Sequence, residues 1–148
     1  MNVKYMDIAY EEALKAFELG EIPVGCVIVY NDEIIARAHN LKENKHCSVD
    51  HAEILAIKEA SNILNNWRLD GCDIYITLSP CPMCASAIKQ ARINNIYCGI
   101  NNDTYDSKMI KNILSTKDNN SVVNIDFDLD KIRCGNLLKK FFKLRRFD

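Results

Sequence analysis

Residues 51–84 read HAEILAIKEASNILNNWRLDGCDIYITLSPCPMC. From His51 to Leu64, apolar side chains lie on more than one side of the helical repeat, which predicts a largely buried helix. The β-rich run from Asp73 to Leu78 predicts a strand. A second helix is expected from Pro82 to about Gln90, because proline at the first helical position loses no intrahelical hydrogen bond. This part of the chain therefore predicts a buried helix, a strand and a further helix in close succession.

The alternation of helices and strands continues on both sides of this stretch. Upstream, the pattern predicts a helix and a two-stranded hairpin, over Val3–Leu19, Val24–Tyr30 and Glu33–His39. The pair Asn31-Asp32 joins the two strands, and both residue types tolerate the positive φ of a tight turn. Downstream, the pattern predicts a strand, a weak helix, a short β-like run and a last helix, over Ile96–Ile100, Met109–Ser115, Val122–Phe127 and Leu129–Arg145. The order α-β-β-α-β-α-β-α-β-α predicts an α/β fold of three layers, α-β-α, around a central mixed five-stranded sheet.

The composition is typical of a soluble globular protein. The chain has 148 residues, of which 48% are hydrophobic and 26% charged, and this size predicts one domain over residues 1–148. No apolar run approaches the roughly 18 residues of a spanning helix, and the first ten residues lack the core of a signal peptide. We therefore expect a cytoplasmic protein without a membrane partner.

Charge and cysteine content narrow the class further. The net charge of -1 gives no overall attraction for nucleic acid, so any polyanion contact needs a local basic surface. The last ten residues, KKFFKLRRFD, provide such a surface, although a helix that packs its Phe side chains and solvates its charges has the same pattern. An odd number of cysteines, seven, without a secretory signal favours thiols and a metal over disulfides.

Three residues have the spacing and chemistry of a zinc site. Cys81 and Cys84 lie three apart at the start of a predicted helix, where the unpaired amides favour thiolates. His51 would supply a third ligand and leave the fourth tetrahedral position to water, as in catalytic zinc sites. A redox pair or a closed structural zinc site remains an alternative. The candidates for a fourth protein ligand in a structural site are Cys47, Cys72, Cys98 and His46.

Glu53 is the candidate proton carrier beside this metal. Zinc lowers the pKa of a bound water but does not itself move protons to a substrate, whereas a carboxylate can. Residues two apart on a regular helix point about 200° apart, so His51 and Glu53 can reach one site only if the first turn is irregular. The alternative is that Glu53 merely favours a helix N-terminus as an acidic residue.

The pattern H-x-E followed by P-C-x-x-C matches the signature of zinc nucleobase deaminases, in which the glutamate is a general acid and base. Further segments resemble bacterial tRNA-specific adenosine deaminases: EIPVGCVIV at 21–29, His39-Asn40, HAEILAI at 51–57, WRL at 67–69 and FFKLRR at 141–146. The resemblance covers nearly the whole chain and implies a cytidine deaminase-like fold.

The resemblance implies a Zn²⁺-dependent homodimer that hydrolyses the wobble adenosine of a tRNA anticodon loop to inosine. Glu53 would move protons from water to the purine ring and to the departing ammonia. The implied substrate-binding residues are Asn40, Pro23, Val24, Gly25, Ala52 and Pro80, and the backbone amide of Cys81 would help to orient the reactants. The implied RNA-binding residues are Lys143, Arg145 and Arg146.

The chain also departs from this family at three places. Before Pro80 the chain has Ser79, where the family usually has glutamate. Relatives that act on free bases also have serine at this position. Asp50 directly precedes His51, and Asn102 replaces an aspartate in an altered loop over Gly99–Asp106. These departures keep open a deaminase of a free base or nucleoside of the cytosine, guanine or cytidine type. A non-catalytic, zinc-stabilised RNA-binding or partner subunit is a third hypothesis, against which the intact Glu53 argues.

Overall fold

The structure is a computed structural model that describes residues 2–118 and 121–145. Within these residues the chain forms helices and strands in the predicted order. The helices are α1 (Val3–Glu18), α2 (Ala52–Leu64), α3 (Pro82–Gln90), α4 (Ser107–Leu114) and α5 (Lys131–Arg145). The strands are β1 (Gly25–Tyr30), β2 (Glu33–His39), β3 (Cys72–Leu78), β4 (Asn95–Ile100) and β5 (Asn124–Asp126). None of the helices in the described ranges is long and apolar enough to cross a bilayer.

The strands form one mixed sheet in the order β2-β1-β3-β4-β5. Strand β1 is antiparallel to both β2 and β3, while β3, β4 and β5 run parallel. Asn31 and Asp32 both have positive φ, 50° and 61°, as the predicted hairpin turn requires. The register shifts between Ile28 and Val29, a bulge that the sequence pattern does not predict. The run around residue 125 joins the sheet as the edge strand β5.

Helices cover both faces of this sheet. On one face α2, α3 and α4 enclose the larger core, whose isoleucines Ile28, Ile74, Ile76, Ile88 and Ile96 are fully buried. On the other face α1 packs Met6 and Ala9 against Val27, Val29 and Tyr75. Helix α5 lies beside α1, and the rings of Phe17 and Phe141 meet edge to face between them. The predicted three-layer α-β-α fold is confirmed.

Helix α1 lies very close to the start of β1. A Cβ atom on Gly25 would come within 2.2 Å of the Ala9 carbonyl oxygen and 2.3 Å of the Ala13 nitrogen. The Gly25 amide donates a hydrogen bond to Thr77 Oγ1 over 3.1 Å. Gly25 therefore lets α1 pack directly on the sheet. In the structure, Gly25 lies at the contact between β1 and α1.

Candidate active site

The three predicted zinc ligands lie together. His51 Nδ1 is 3.8 Å from Cys81 Sγ and 3.5 Å from Cys84 Sγ, and the three ligand atoms all lie within 4.8 Å of one another. One imidazole nitrogen and two sulfurs are donors that zinc prefers. These residues can hold one ion.

Local backbone geometry brings the ligands into range. His51 is the N-cap of α2 and Cys81 the N-cap of α3, and both have extended backbones, with φ/ψ of -73°/153° and -70°/169°. Because His51 lies just outside the helix, the helical repeat does not separate it from Glu53. Cys81 and Cys84 occupy the N-cap and third helical positions, which face each other across the first turn.

The fit of a catalytic metal depends on what surrounds these ligands. Among residues 2–118 and 121–145, no fourth His, Cys, Asp or Glu joins the group. Of the alternative ligands, Cys72 and Cys98 are instead fully buried in the hydrophobic core. The group therefore has the open three-ligand composition of a catalytic site rather than a closed structural one.

Glu53 lies beside the ligands and is itself 4% exposed. Its Oε1 atom has no hydrogen-bond partner within the described chain. Burial, above all, raises the pKa of this carboxyl group. A buried acceptor without a partner is costly, so it points to a donor that arrives with the ligand or substrate. This is the arrangement expected of a proton carrier.

The pKa values of the two cysteine thiols are shifted in opposite directions. A hydrogen bond from Cys84, and then the ring of His51, lower the pKa of Cys81 to about 4. The same hydrogen bond, together with burial, raises the pKa of Cys84. Cys81 is thus a thiolate in the neutral pH range, which is the form that binds metal.

A cavity of about 500 Å³ opens over this group. Besides His51, Glu53 and Cys81, the described lining residues come from five segments of the chain. They are Gly20, Glu21, Ile22, Val24, Asn40, Lys42, Glu43, Leu78, Ser79, Asn102, Tyr105, Phe141, Phe142 and Arg145.

Residues 1–100 match the zinc-binding region of cytidine and deoxycytidylate deaminases. The chain belongs to this family of zinc deaminases. It is 42% identical over 144 residues to the tRNA-specific adenosine deaminase of Bacillus subtilis, a match that spans 94% of this chain and 87% of the relative. It is 37% identical over 143 residues to the tRNA-specific adenosine deaminase of Streptococcus pyogenes serotype M18, over 96% of this chain and 90% of the relative. The resemblance predicted from the motifs is confirmed, and so is Zn²⁺ as the cofactor.

A solved structure shows the same similarity in three dimensions. It comes from studies of A-to-I editing by tRNA:A34 deaminases at the wobble position of transfer RNA, and it superposes on this deaminase with a TM-score of 0.85 at 31% identity. The match covers 92% of this chain and 99% of the other. This deaminase therefore has the same fold as that structure.

Some of the predicted substrate-binding residues of the deaminase line the cavity, and the others are buried beside it. Asn40 and Val24 line the cavity, whereas Pro23, Gly25, Ala52 and Pro80 are buried outside its lining. Asn40 Oδ1 accepts a hydrogen bond from the Ala52 amide over 2.8 Å, and its Nδ2 donates to the Ile22 carbonyl over 3.1 Å. Asn40 therefore joins the starts of β1 and α2. The substrate contacts of these residues stay predictions.

Two of the three predicted RNA-binding residues, Lys143 and Arg145, lie on the last turn of α5. Arg145 lines the cavity, stacks 4.9 Å from the Phe141 ring and donates a hydrogen bond to the Gly20 carbonyl. Lys143 is exposed and does not line the cavity. Arg146 lies outside the described residues.

The motifs did not assign a role to Glu21 or Tyr105, which also line the cavity. Glu21 is 2% exposed and accepts hydrogen bonds from the amides of Glu43 and Asn44 over 3.1 and 2.7 Å. Glu21 thereby attaches the β2–α2 loop to the start of β1. An acid directly before a predicted buried strand is the signal that could have identified it.

Proposed function

We propose that the chain is a hydrolytic deaminase that converts the wobble adenosine of a tRNA anticodon to inosine. The observation that carries this proposal is a buried carboxyl oxygen of Glu53 that has no hydrogen-bond partner among the described residues and lies beside the His51, Cys81 and Cys84 group at the cavity. The relatives named tRNA-specific adenosine deaminase supply the substrate class. We further propose one catalytic domain over residues 1–148, acting in the cytoplasm.

His51 Nδ1 and the sulfurs of Cys81 and Cys84 would hold the zinc ion. When bound, this ion lowers the pKa of a water molecule and so provides a nucleophile at neutral pH. Glu53 accepts a proton from the attacking water and passes it to N1 of the adenine ring. The carboxylate then takes the second proton from the hydroxyl group now on C6 and delivers it to the amino group, so that the C6–N bond breaks, ammonia leaves and the C6 carbonyl of inosine forms. A carboxyl group whose pKa is raised by burial is suited to both directions of transfer.

The size and lining of the cavity support the proposal that the substrate is a nucleoside presented by an RNA loop. Its volume of about 500 Å³ lies within the usual range for small-molecule sites. A base in an anticodon loop can leave its stack at lower cost than a base in a duplex. The rings of Phe141 and Phe142 form part of the cavity wall and offer apolar surface to an extruded nucleotide.

The direct experiment compares an RNA with free bases. Zinc-loaded protein is incubated with an arginine tRNA anticodon stem-loop, adenosine, cytosine and guanine at equal concentration, and ammonia and inosine are measured. We expect inosine in the stem-loop and little ammonia from the small molecules. A matched stem-loop with guanosine at the wobble position is the control. Ammonia from a free base at a higher rate than from the stem-loop would establish the alternative function instead.

We also propose that the deaminase acts as a homodimer, as the family resemblance implies. Light scattering is expected to give twice the chain mass of 16.9 kDa. A mass of one chain at the concentration used for the activity assay would contradict this proposal and leave the chemistry unaffected.

A further inference from the structure

One wall of the cavity is formed by the loop between β4 and α4. Asn102 and Tyr105 of this loop are half-buried and line the cavity. Within the loop, Asn102 Oδ1 accepts a hydrogen bond from the Thr104 amide over 3.1 Å, and the Tyr105 amide donates to the Asn102 carbonyl over 3.2 Å. Asn102 therefore determines the local turn that carries the Tyr105 ring to the cavity.

Ser79 attaches this loop to the end of β3. Its side chain is buried, with the residue 4% exposed, and its Oγ accepts a hydrogen bond from the Asn102 amide over 2.7 Å. The same Oγ lies 3.4 Å from Asn101 Oδ1, to which it can donate. The Ser79 amide donates to the Ile100 carbonyl over 2.9 Å. One short side chain thus holds two successive loop residues, and it does so two positions before the ligand Cys81.

The two main departures from the family pattern are therefore one structural unit. The family resemblance implies a glutamate at the position of Ser79 and an aspartate at that of Asn102 in the loop that follows β4. A glutamate side chain is two bonds longer than serine, so it cannot place its oxygen atoms where Ser79 Oγ lies without moving the loop or turning into the cavity. The serine and the altered loop fit each other.

We propose that Ser79 is a positioning residue that fixes the Asn102–Tyr105 wall, and that this wall sets how tightly the site binds the nucleotide it deaminates. This inference rests on the proposed function for its substrate. Ser79 is not one of the three residues that could hold the metal. It acts through the loop, so its removal is expected to affect substrate binding more than the chemical step.

The test uses two variants of the zinc-loaded protein. Ser79→Ala removes the acceptor for the Asn102 amide, whereas Ser79→Thr keeps a hydroxyl group. Loss of one hydrogen bond that holds the wall predicts that KM for the anticodon stem-loop rises about fivefold in Ser79→Ala. We expect kcat to stay within about twofold, and Ser79→Thr to restore KM. Equal KM values for Ser79→Ala and the parent protein would overturn the proposal.

A double-mutant cycle separates positioning from general destabilisation. If Ser79 acts through the wall, the effects of Ser79→Ala and Tyr105→Ala on KM are not additive. Additive effects would show that Ser79 acts elsewhere and would refute the inference.

A readout without activity keeps the inference independent of the proposed function. Hydrogen exchange of the Asn102 amide in the zinc-loaded protein is expected to speed up about tenfold or more in Ser79→Ala, and to remain slow in Ser79→Thr. Unchanged exchange in Ser79→Ala would reject the positioning role. If the parent protein makes no inosine, the proposed function fails, yet the exchange result still decides whether Ser79 fixes the loop.

Discussion

Glu53 is an acid whose position serves chemistry at the expense of stability. One of its carboxyl oxygens is buried without a hydrogen-bond partner among the described residues, and burial raises the pKa of the group. A polar atom left in this state costs folding free energy. Active sites commonly keep such groups because the reaction needs them.

We predict that Glu53→Gln lowers the rate of inosine formation by about 10²- to 10⁴-fold, the range for loss of a general acid and base. Glutamine keeps the size of the side chain but cannot carry the proton. Zinc content, measured by atomic emission, is expected to stay at the parent level because Glu53 is not among the proposed ligands. Turnover that survives this change would mean that another group transfers the proton.

Cys84 has a different role from Glu53, and the corresponding variant separates the two. Cys84→Ala reduces the group to His51 and Cys81, so we expect loss of zinc on gel filtration and loss of activity together. The buried Cys98→Ala is the matched control, because Cys98 lies in the core and outside the metal group. Full zinc occupancy in Cys84→Ala would exclude Cys84 as a ligand.

The chemistry of single residues was more predictable than their surroundings. The spacing of Cys81 and Cys84 and the H-x-E pattern depend on local sequence, and the structure brings these side chains together. Tyr105 could not be assigned in this way, because its approach to the cavity depends on a contact between Ser79 and a loop 23 positions along the chain. Such contacts form only in the folded protein.

The distance between helix α1 and strand β1 depends on Gly25, which has no side chain. We predict that Gly25→Ala lowers the free energy of unfolding by about 3 kcal/mol or more, because the added Cβ would meet backbone atoms of Ala9 and Ala13. Backbone cannot move as a side chain can. Urea unfolding followed by circular dichroism measures the change.

Gly135→Ala, in helix α5, is the matched control for Gly25→Ala. There the nearest atom to the added Cβ is the end of the Ile100 side chain, at 3.0 Å, and alanine favours a helix interior by roughly 0.5–1 kcal/mol. We expect little change or a small gain. Equal losses for both variants would contradict the steric explanation.

The contact between α1 and β2 includes a buried carboxylate. Glu12 is 3% exposed and lies 2.7 Å from Lys15 Nζ, 2.9 Å from His39 Nδ1 and 3.0 Å from Arg37. Burial alone would raise the pKa of Glu12, but the hydrogen bonds from Lys15, His39 and Arg37 outweigh it and the net pKa lies below the usual 4.5.

A carboxyl group with a lowered pKa in the folded state stabilises the fold above its unfolded pKa. This stabilisation is lost as the pH falls from about 4.5 through the folded pKa. We therefore predict that Glu12→Gln is less stable than the parent by about 1–3 kcal/mol at pH 7, and that the difference shrinks below pH 4.5. Thermal unfolding at several pH values measures it. Glu11→Gln is the control, since Glu11 is largely exposed and its ion pair contributes little; a constant difference across pH would be inconsistent with this mechanism.

The order of the helices and strands could be predicted from the periodicity of the apolar residues. Some of the residues at which they begin and end could not. Strand β2 matches its predicted range, because its turn residues and β-rich pattern agree. Helix α4 begins at Ser107, earlier than the predicted Met109, because the Asp106 side chain accepts a hydrogen bond from the Lys108 amide and caps the helix. The three-residue strand β5 depends on pairing with β4, which no local pattern contains.

At the scale of the whole molecule, the charge distribution matters more than the net charge. A net charge of -1 provides no general attraction to RNA, but the basic end of α5 lies at the cavity. If RNA binds through this surface, as the proposed function implies, its binding is expected to be mainly electrostatic and to decrease with salt.

We predict that Lys143→Ala weakens stem-loop binding and reduces the magnitude of the slope of log K against log salt by about 0.7–1. Fluorescence anisotropy at several salt concentrations measures both. Lys131→Ala, an exposed lysine at the opposite end of α5, is the control and should leave the slope unchanged. The same slope for Lys143→Ala and the parent would place the RNA elsewhere.

The hydrogen bond from Arg145 to the Gly20 carbonyl has a practical meaning for anyone who makes this protein. Arg145 lines the cavity at the last described turn of α5, so a bulky label attached to this turn is expected to compete with a macromolecular substrate for space. The first turn of α1 lies about 24 Å from its last turn for a helix of this length, so a label attached at the first turn is farther from Gly20 and the cavity.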